Sequence, residues 1–156
     1  MDFVIAAVEG FNFHTGFVIR ELTLLFPDNS EQHFQFRNPE TVHLDDRDKR
    51  TAKFAKRHLH GFSATDDGTC CLPYSTYPQI LKAVENCRIY VAGEIASRFF
   101  MKNLPYTPII DVYSRWDFMK YPIELENPQC FFLHRFRYCS LAKARYLKER
   151  LTGYTL

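Results

Sequence analysis

Residues 2–37 read DFVIAAVEGFNFHTGFVIRELTLLFPDNSEQHFQFR. It contains three largely apolar segments, 2–11, 16–26 and 31–37, which are separated by the polar FNFHTG turn and by Pro27-Asp28-Asn29. Short apolar segments that end at Gly, Pro and Asn are typical of β-strands. Because short turns connect them, neighbouring strands must run antiparallel. The stretch therefore predicts a three-strand antiparallel meander.

Helical and strand patterns alternate after the meander. The predicted elements are a helix from about Asp45 to His60-Gly61, a helix at 77–87, a strand at 88–93, a helix at 93–104, a strand at 107–114 and an amphipathic helix at 140–151. If the helix at 77–87 is left out, the order is β1-β2-β3-α-β4-α-β5-α. This order predicts an α/β fold in a single domain, residues 1–156.

Composition indicates a packed globular protein and excludes a disordered chain. Hydrophobic residues make up 46% and aromatic residues 16% of the 156 residues. The apolar runs are too short to cross a bilayer, and the first residues lack the basic segment of a signal peptide. We therefore expect an intracellular protein, cytoplasmic or nuclear, with no membrane partner. In that reducing setting the five cysteines are expected as thiols or metal thiolates.

Basic residues concentrate in the segment KRTAKFAKRHLH (49–60) and in the region after Phe131. Arg50, Lys53 and Arg57 recur at helical spacing and should share one face with His60. Phe54, Ala55 and Leu59 are then expected to face the core. A face of this kind suits an anionic partner such as a phosphate backbone, although a merely solvated helix face is the alternative.

Cys130, His134 and Cys139 form a cluster of soft ligands at the start of the last helix. Thiolates and imidazole are the ligands that structural zinc sites use. The best candidate for a fourth ligand is Glu21, because an ionised carboxylate on an apolar strand face needs a partner. That face is predicted from a period of two and comprises Phe17, Ile19, Glu21, Thr23 and Leu25. Glu9 is the alternative ligand, and three ordinary core residues or a reactive thiol are the alternatives to a metal site.

The order of elements resembles the ribonuclease H-like fold, in which parallel strands continue an antiparallel meander. His134 stands five residues before Cys139, which resembles the last-helix motif of DEDD-type 3′–5′ exonucleases with Cys in place of the catalytic Asp. The first-strand Asp-x-Glu motif would correspond to Ala7-Val8-Glu9, and Glu94 is the only acidic residue between 88 and 104. The resemblance thus implies a nuclease scaffold without the carboxylates that two-metal catalysis requires.

Cys130, His134 and Cys139 are also similar in order to part of the Glu-Cys-His-Cys zinc site of Maelstrom domains. This resemblance implies a zinc-binding, catalytically degenerate module. Together with the basic face, it predicts a protein that binds single-stranded RNA or DNA, with RNA as the expected partner, in RNA silencing or mobile-element biology. Its predicted nucleic-acid-binding residues are Arg50, Lys53, Arg57, Arg135 and Arg137. The alternatives are a protein–protein adaptor with an aromatic interface and a weak metal-independent ribonuclease.

Overall fold

The computed structural model describes residues 2–40, 43–65, 71–115 and 139–152. Within them the strands are β1 (Phe3–Phe13), β2 (Gly16–Leu25), β3 (Glu31–Gln35), β4 (Arg88–Val91) and β5 (Ile109–Asp111). They form one mixed sheet in the spatial order β3-β2-β1-β4-β5. The first three strands pair antiparallel, whereas β4 pairs parallel with β1 and β5 pairs parallel with β4. The predicted α/β class is therefore confirmed.

The helices are α1 (Asp46–His58), α2 (Tyr77–Lys82), α3 (Glu94–Asn103), α4 (Val112–Arg115) and α5 (Ser140–Leu151). Helix α1 begins as predicted, because the Asp45 side chain accepts the N–H of Asp48 and caps the helix. The strand predicted at 107–114 is wrong beyond Asp111. The Asp111 carboxylate accepts the backbone N–H of Tyr113 at 3.0 Å, and this bond begins α4 instead. The helix predicted at 77–87 ends at Lys82 and continues as turns.

Helices cover both faces of the sheet, because successive side chains of a strand point to opposite sides. On one face, α2 and α3 pack over a cluster that includes Val4, Ala6, Leu22, Leu24, Leu81 and Phe100. On the other face, α5 packs over a cluster that includes Ile5, Ala7, Leu25 and Leu147. Helix α1 lies on this second face as well, where Ala52 and Ala55 contact Phe11 and Phe13.

A β-bulge reverses the faces of β2. Glu9 pairs with Glu21, but Gly10 pairs with Ile19, so Arg20 is an extra residue in β2. Glu21 consequently faces α5, whereas Ile19 packs beneath α2 and α3. The predicted shared face of Glu21, Thr23 and Leu25 with Phe17 and Ile19 is wrong for the last two. A period of two cannot continue through an inserted residue.

The bulge brings the backbones of β1 and β2 unusually close at Gly10. A Cβ atom at this position would lie 2.0 Å from the carbonyl oxygen of Val18. We expect Gly10→Ala to lower the free energy of unfolding by about 2 kcal/mol or more, because the backbone of β2 must move to accommodate the methyl group. Urea denaturation measures this change.

The control is Asn12→Ala, at an exposed position of the same strand. Its effect on the free energy of unfolding should stay within about 0.5 kcal/mol. If both variants unfold at the same urea concentration, the contact at Gly10 does not constrain the sheet.

Candidate functional site

Glu21, one of the four predicted zinc ligands, contacts the residue that follows Cys139, another of them, at the start of α5. Glu21 is fully buried on β2, and its Oε1 atom accepts the backbone N–H of Ser140 at 2.6 Å. Cys139 immediately precedes Ser140, is buried and occupies the N-cap position of α5. The carboxylate therefore lies at the positive end of the helix dipole, which favours its ionised form.

A network of polar side chains surrounds Glu21. The Gln35 Nε2 atom donates to Glu21 Oε2 at 2.9 Å, and His33 Nε2 lies 3.7 Å from the same oxygen. The Thr23 hydroxyl is 2.7 Å from His33 Nδ1 and 2.8 Å from the Ser140 hydroxyl. The network joins β2, β3 and α5. Sequence reasoning missed His33 and Gln35, although their spacing of two on β3 already places them on one face.

Glu9, the alternative ligand, has a different partner. It lies on β1 opposite Glu21 and forms an ion pair with Lys143, one turn after Cys139 on α5. The Glu9 residue is only 7% exposed, so the nearby ammonium compensates a carboxylate that has lost most of its water. Glu21 and Glu9 both have polar or charged partners, so Glu9 remains the alternative ligand.

Cys130 and His134, the other predicted zinc ligands, lie outside the described residues. Within the described part of the chain, three His, Cys, Asp or Glu ligand atoms come within 4.8 Å of one another at one place, His14, Asp45 and Asp48. Described residues alone thus do not complete a zinc site around Glu21 and Cys139. The four-ligand site stays a prediction that depends on Cys130 and His134.

His14, Asp45 and Asp48 form a group that can hold a metal ion. The His14 Nδ1 atom is 2.6 Å from Asp48 and 3.3 Å from Asp45. The backbone N–H of His14 also donates to Asp48 at 3.0 Å. These contacts connect the β1–β2 turn to the first turn of α1. Sequence reasoning missed the group, because the two aspartates already had a role as helix-start residues.

The basic residues of α1 form an exposed surface, as predicted for Arg50, Lys53 and Arg57. Residues 49–58 contain five lysines and arginines and no acidic residue. The exposed set, called the α1 basic face below, is Lys49, Arg50, Lys53, Lys56 and Arg57. No carboxylate in the described chain pairs with any of these five side chains. Arg135 and Arg137, predicted to assist, lie outside the described residues.

Phe54 and His60 differ in burial from the prediction made from the sequence. Phe54 was expected in the core but is 56% exposed, and its ring lies against His58 at a centroid distance of 5.0 Å. His60 was expected on the basic face but is buried, and its Nε2 atom bonds the Gly10 carbonyl at 2.8 Å. The helix ends at His58, so His60 no longer follows helical spacing. Ala52 and Ala55 form the side of α1 that packs against the sheet, and Phe54 lies on a different side of the helix.

No known protein family, curated protein or solved structure matches the chain. Among the described residues, every helix is too short or too polar to cross a membrane.

We expect Glu21→Ala to lower the free energy of unfolding by about 2–3 kcal/mol, because the Ser140 N–H and the Gln35 amide lose a charged acceptor inside the protein. Urea denaturation of the purified protein measures the change. The control is Glu31→Ala, which removes an exposed ion pair with Arg145 and should cost at most about 1 kcal/mol. Equal effects of the two substitutions would show that the network around Glu21 contributes no more than a surface contact.

Proposed function

We propose that this protein is a catalytically degenerate, ribonuclease H-like module that binds single-stranded nucleic acid, RNA in particular. The observation that carries the proposal is the α1 basic face together with the exposed ring of Phe54. Five cations that have no acidic partner in the described chain attract a phosphate backbone. An aromatic ring among them offers a surface on which an unpaired base can stack.

The binding should show little sequence preference. Lysine and arginine contacts to phosphate position a strand without reading its bases. Stacking on Phe54 is equally tolerant, because every base has a flat face. Arg135 and Arg137 are proposed to extend the same surface, and RNA silencing or mobile-element biology is the proposed setting.

Sheet topology supports the ribonuclease H-like part of the proposal. The order β3-β2-β1-β4-β5, with an antiparallel meander and two parallel strands, is the arrangement expected of that fold. Topology alone does not define a function, since one fold hosts many activities. The function must therefore be inferred from the chemistry of individual residues.

Residue chemistry favours a binding module over a two-metal nuclease. Ala7 and Cys139 stand where the resemblance places catalytic aspartates, and Glu9 is already paired with Lys143. An ammonium group beside the remaining first-strand carboxylate opposes binding of a second cation there. We propose that Mg²⁺ and Mn²⁺ do not support exonuclease activity in this protein.

Zinc is the proposed cofactor, held by Glu21, Cys130, His134 and Cys139. The buried Glu21 carboxylate beside the Cys139 position supports this set. A carboxylate accepts about four contacts, so its bonds from Ser140 and Gln35 are compatible with a metal bond. Zinc at this point would connect α5 to the sheet as a closed structural site.

A protein–protein adaptor is the second candidate function. Ile95 and Met101 on α3 are 48% and 51% exposed, and Tyr106 is 98% exposed. Large exposed apolar side chains of this kind are enriched at interfaces. Such an interface would depend weakly on salt, whereas nucleic-acid binding weakens steeply as salt rises.

Two variants test the α1 basic face against fluorescently labelled single-stranded RNA and DNA. Lys53→Glu/Arg57→Glu should lower affinity at low salt by about tenfold or more. The slope of the logarithm of the binding constant against the logarithm of the salt concentration should become shallower by roughly 0.7 for each phosphate that the variant no longer neutralises. Phe54→Ala should weaken binding by about 1–3 kcal/mol, because the base no longer stacks on the ring. Fluorescence anisotropy measures both, and the oligonucleotides should remain intact in Mg²⁺ or Mn²⁺.

Matched controls use exposed residues on the other face of the sheet. Lys82→Glu on α2 reverses one exposed charge, and Met101→Ala on α3 removes a large exposed apolar side chain; both should leave affinity unchanged. If the double reversal binds as tightly as the parent protein, or the parent does not bind at low salt, the adaptor function replaces this proposal.

We expect elemental analysis of protein purified without added metal to find one zinc ion per chain. Cys139→Ser should lose it, and chelation should lower the melting temperature, because metal binding and folding are coupled. Cys87→Ser and His14→Ala are the controls and should retain zinc. Loss of zinc in His14→Ala alone would instead assign the metal to His14, Asp45 and Asp48.

A further inference from the structure

A cleft of about 480 Å³ opens on the face of the sheet opposite α1 and α5. It lies between the β1–β2 hairpin and α3, with Asn12, Gly16 and Phe17 on one side and Arg98, Phe99 and Lys102 on the other. Volumes of this order are typical of pockets for small ligands. None of the residues in the Glu21 network or the α1 basic face lines it.

Aromatic rings form one wall of the cleft. The Phe17 ring meets Phe99 edge to face at a centroid distance of 5.4 Å, and the Tyr77 and Phe99 ring centroids are 5.7 Å apart. The Tyr77 hydroxyl donates to Asn103 at 3.3 Å. Burial raises the pKa of Tyr77 above its usual value, so the phenol carries no charge at neutral pH. Phe99 is only 5% exposed, so the accessible, uncharged aromatic surface of the cleft comes from the half-buried Phe17 and Tyr77.

The charged groups at the cleft give it a net positive charge of one. Arg98 and Glu94 form an ion pair along α3, so their charges offset each other. Lys102 has no acidic partner among the described residues, and its Nζ atom lies 3.9 Å from the point where a side chain on Gly16 would begin. The exposed amide of Asn12 lines the same cleft. An ammonium and an amide thus lie beside aromatic side chains in the same cleft.

We propose that this cleft binds a nucleotide unit, with its base against the aromatic wall and its phosphate at Lys102. The aromatic surface alone would suit any flat ring, but the ammonium and the net positive charge select an anionic one. The nucleotide can be a free nucleoside monophosphate or the phosphorylated end of a strand. The site is separate from the α1 basic face and does not require it.

Isothermal titration with the four ribonucleoside monophosphates tests the proposal, with the corresponding nucleosides and inorganic phosphate as comparisons. We expect one saturable site per chain for the monophosphates and weaker binding of both comparison ligands. Lys102→Gln should lower nucleotide affinity by about tenfold, the effect of one charge-assisted hydrogen bond, and leave nucleoside affinity unchanged. Asn12→Ala should weaken binding less, and Lys82→Gln, away from the cleft, should have no effect.

Absence of saturable binding at millimolar nucleotide overturns the proposal, as does unchanged affinity in Lys102→Gln. Lys53→Glu/Arg57→Glu separates this site from the α1 basic face, because it should bind mononucleotides normally while losing strand binding. Competition with short oligonucleotides identifies the source. If only terminally phosphorylated strands displace the mononucleotide, the cleft binds strand ends. If no strand displaces it, the cleft binds free nucleotides.

Discussion

The close approach of Gly10 to the backbone of Val18 determines on which side of the sheet the Glu21 network and the aromatic cleft lie. The resulting bulge inserts Arg20 into β2 and reverses the direction of the side chains on either side of it. Glu21 consequently points toward α5, and Phe17 points toward α3. A regular strand would place both on one face, and the polar network and the aromatic cleft could not occupy opposite sides of the sheet.

The bulge also positions a buried charge whose cost the surroundings must offset. An ionised Glu21 in an apolar interior would be strongly destabilising without partners. The N-terminus of α5 and the amide of Gln35 provide them, and Lys143 does the same for Glu9. Helix α5 is therefore held to β1 and β2 by charge as well as by apolar contacts. A polar arrangement at this depth fixes how the helix docks, which an apolar replacement would not do as specifically.

Sequence reasoning succeeded where one local signal decides the outcome. Asp45 marks the start of α1, residues 140–151 form α5 as predicted, and Glu21 is buried on a largely apolar strand. It failed where distant contacts decide. The bulge depends on a backbone contact between two strands, and the packing of Ala52 and Ala55 against the sheet turns Phe54 toward solvent. His60 leaves the helical pattern to bond the Gly10 carbonyl, a partner fifty residues away that no local spacing indicates.

Charge distribution shows why one of the two basic regions in the sequence is the better surface for an anion. On α5, Lys143 pairs with Glu9, Arg145 with Glu31, and Lys148 with the side chain of Asn29. These three side chains contact β1, β3 and the β2–β3 turn, and so connect α5 to the sheet. The α1 basic face has no such acidic partners in the described chain, so its positive charges act on the solvent and on whatever approaches from it. Phosphate is therefore expected to bind at α1 rather than at α5, even though both helices carry a similar excess of basic residues.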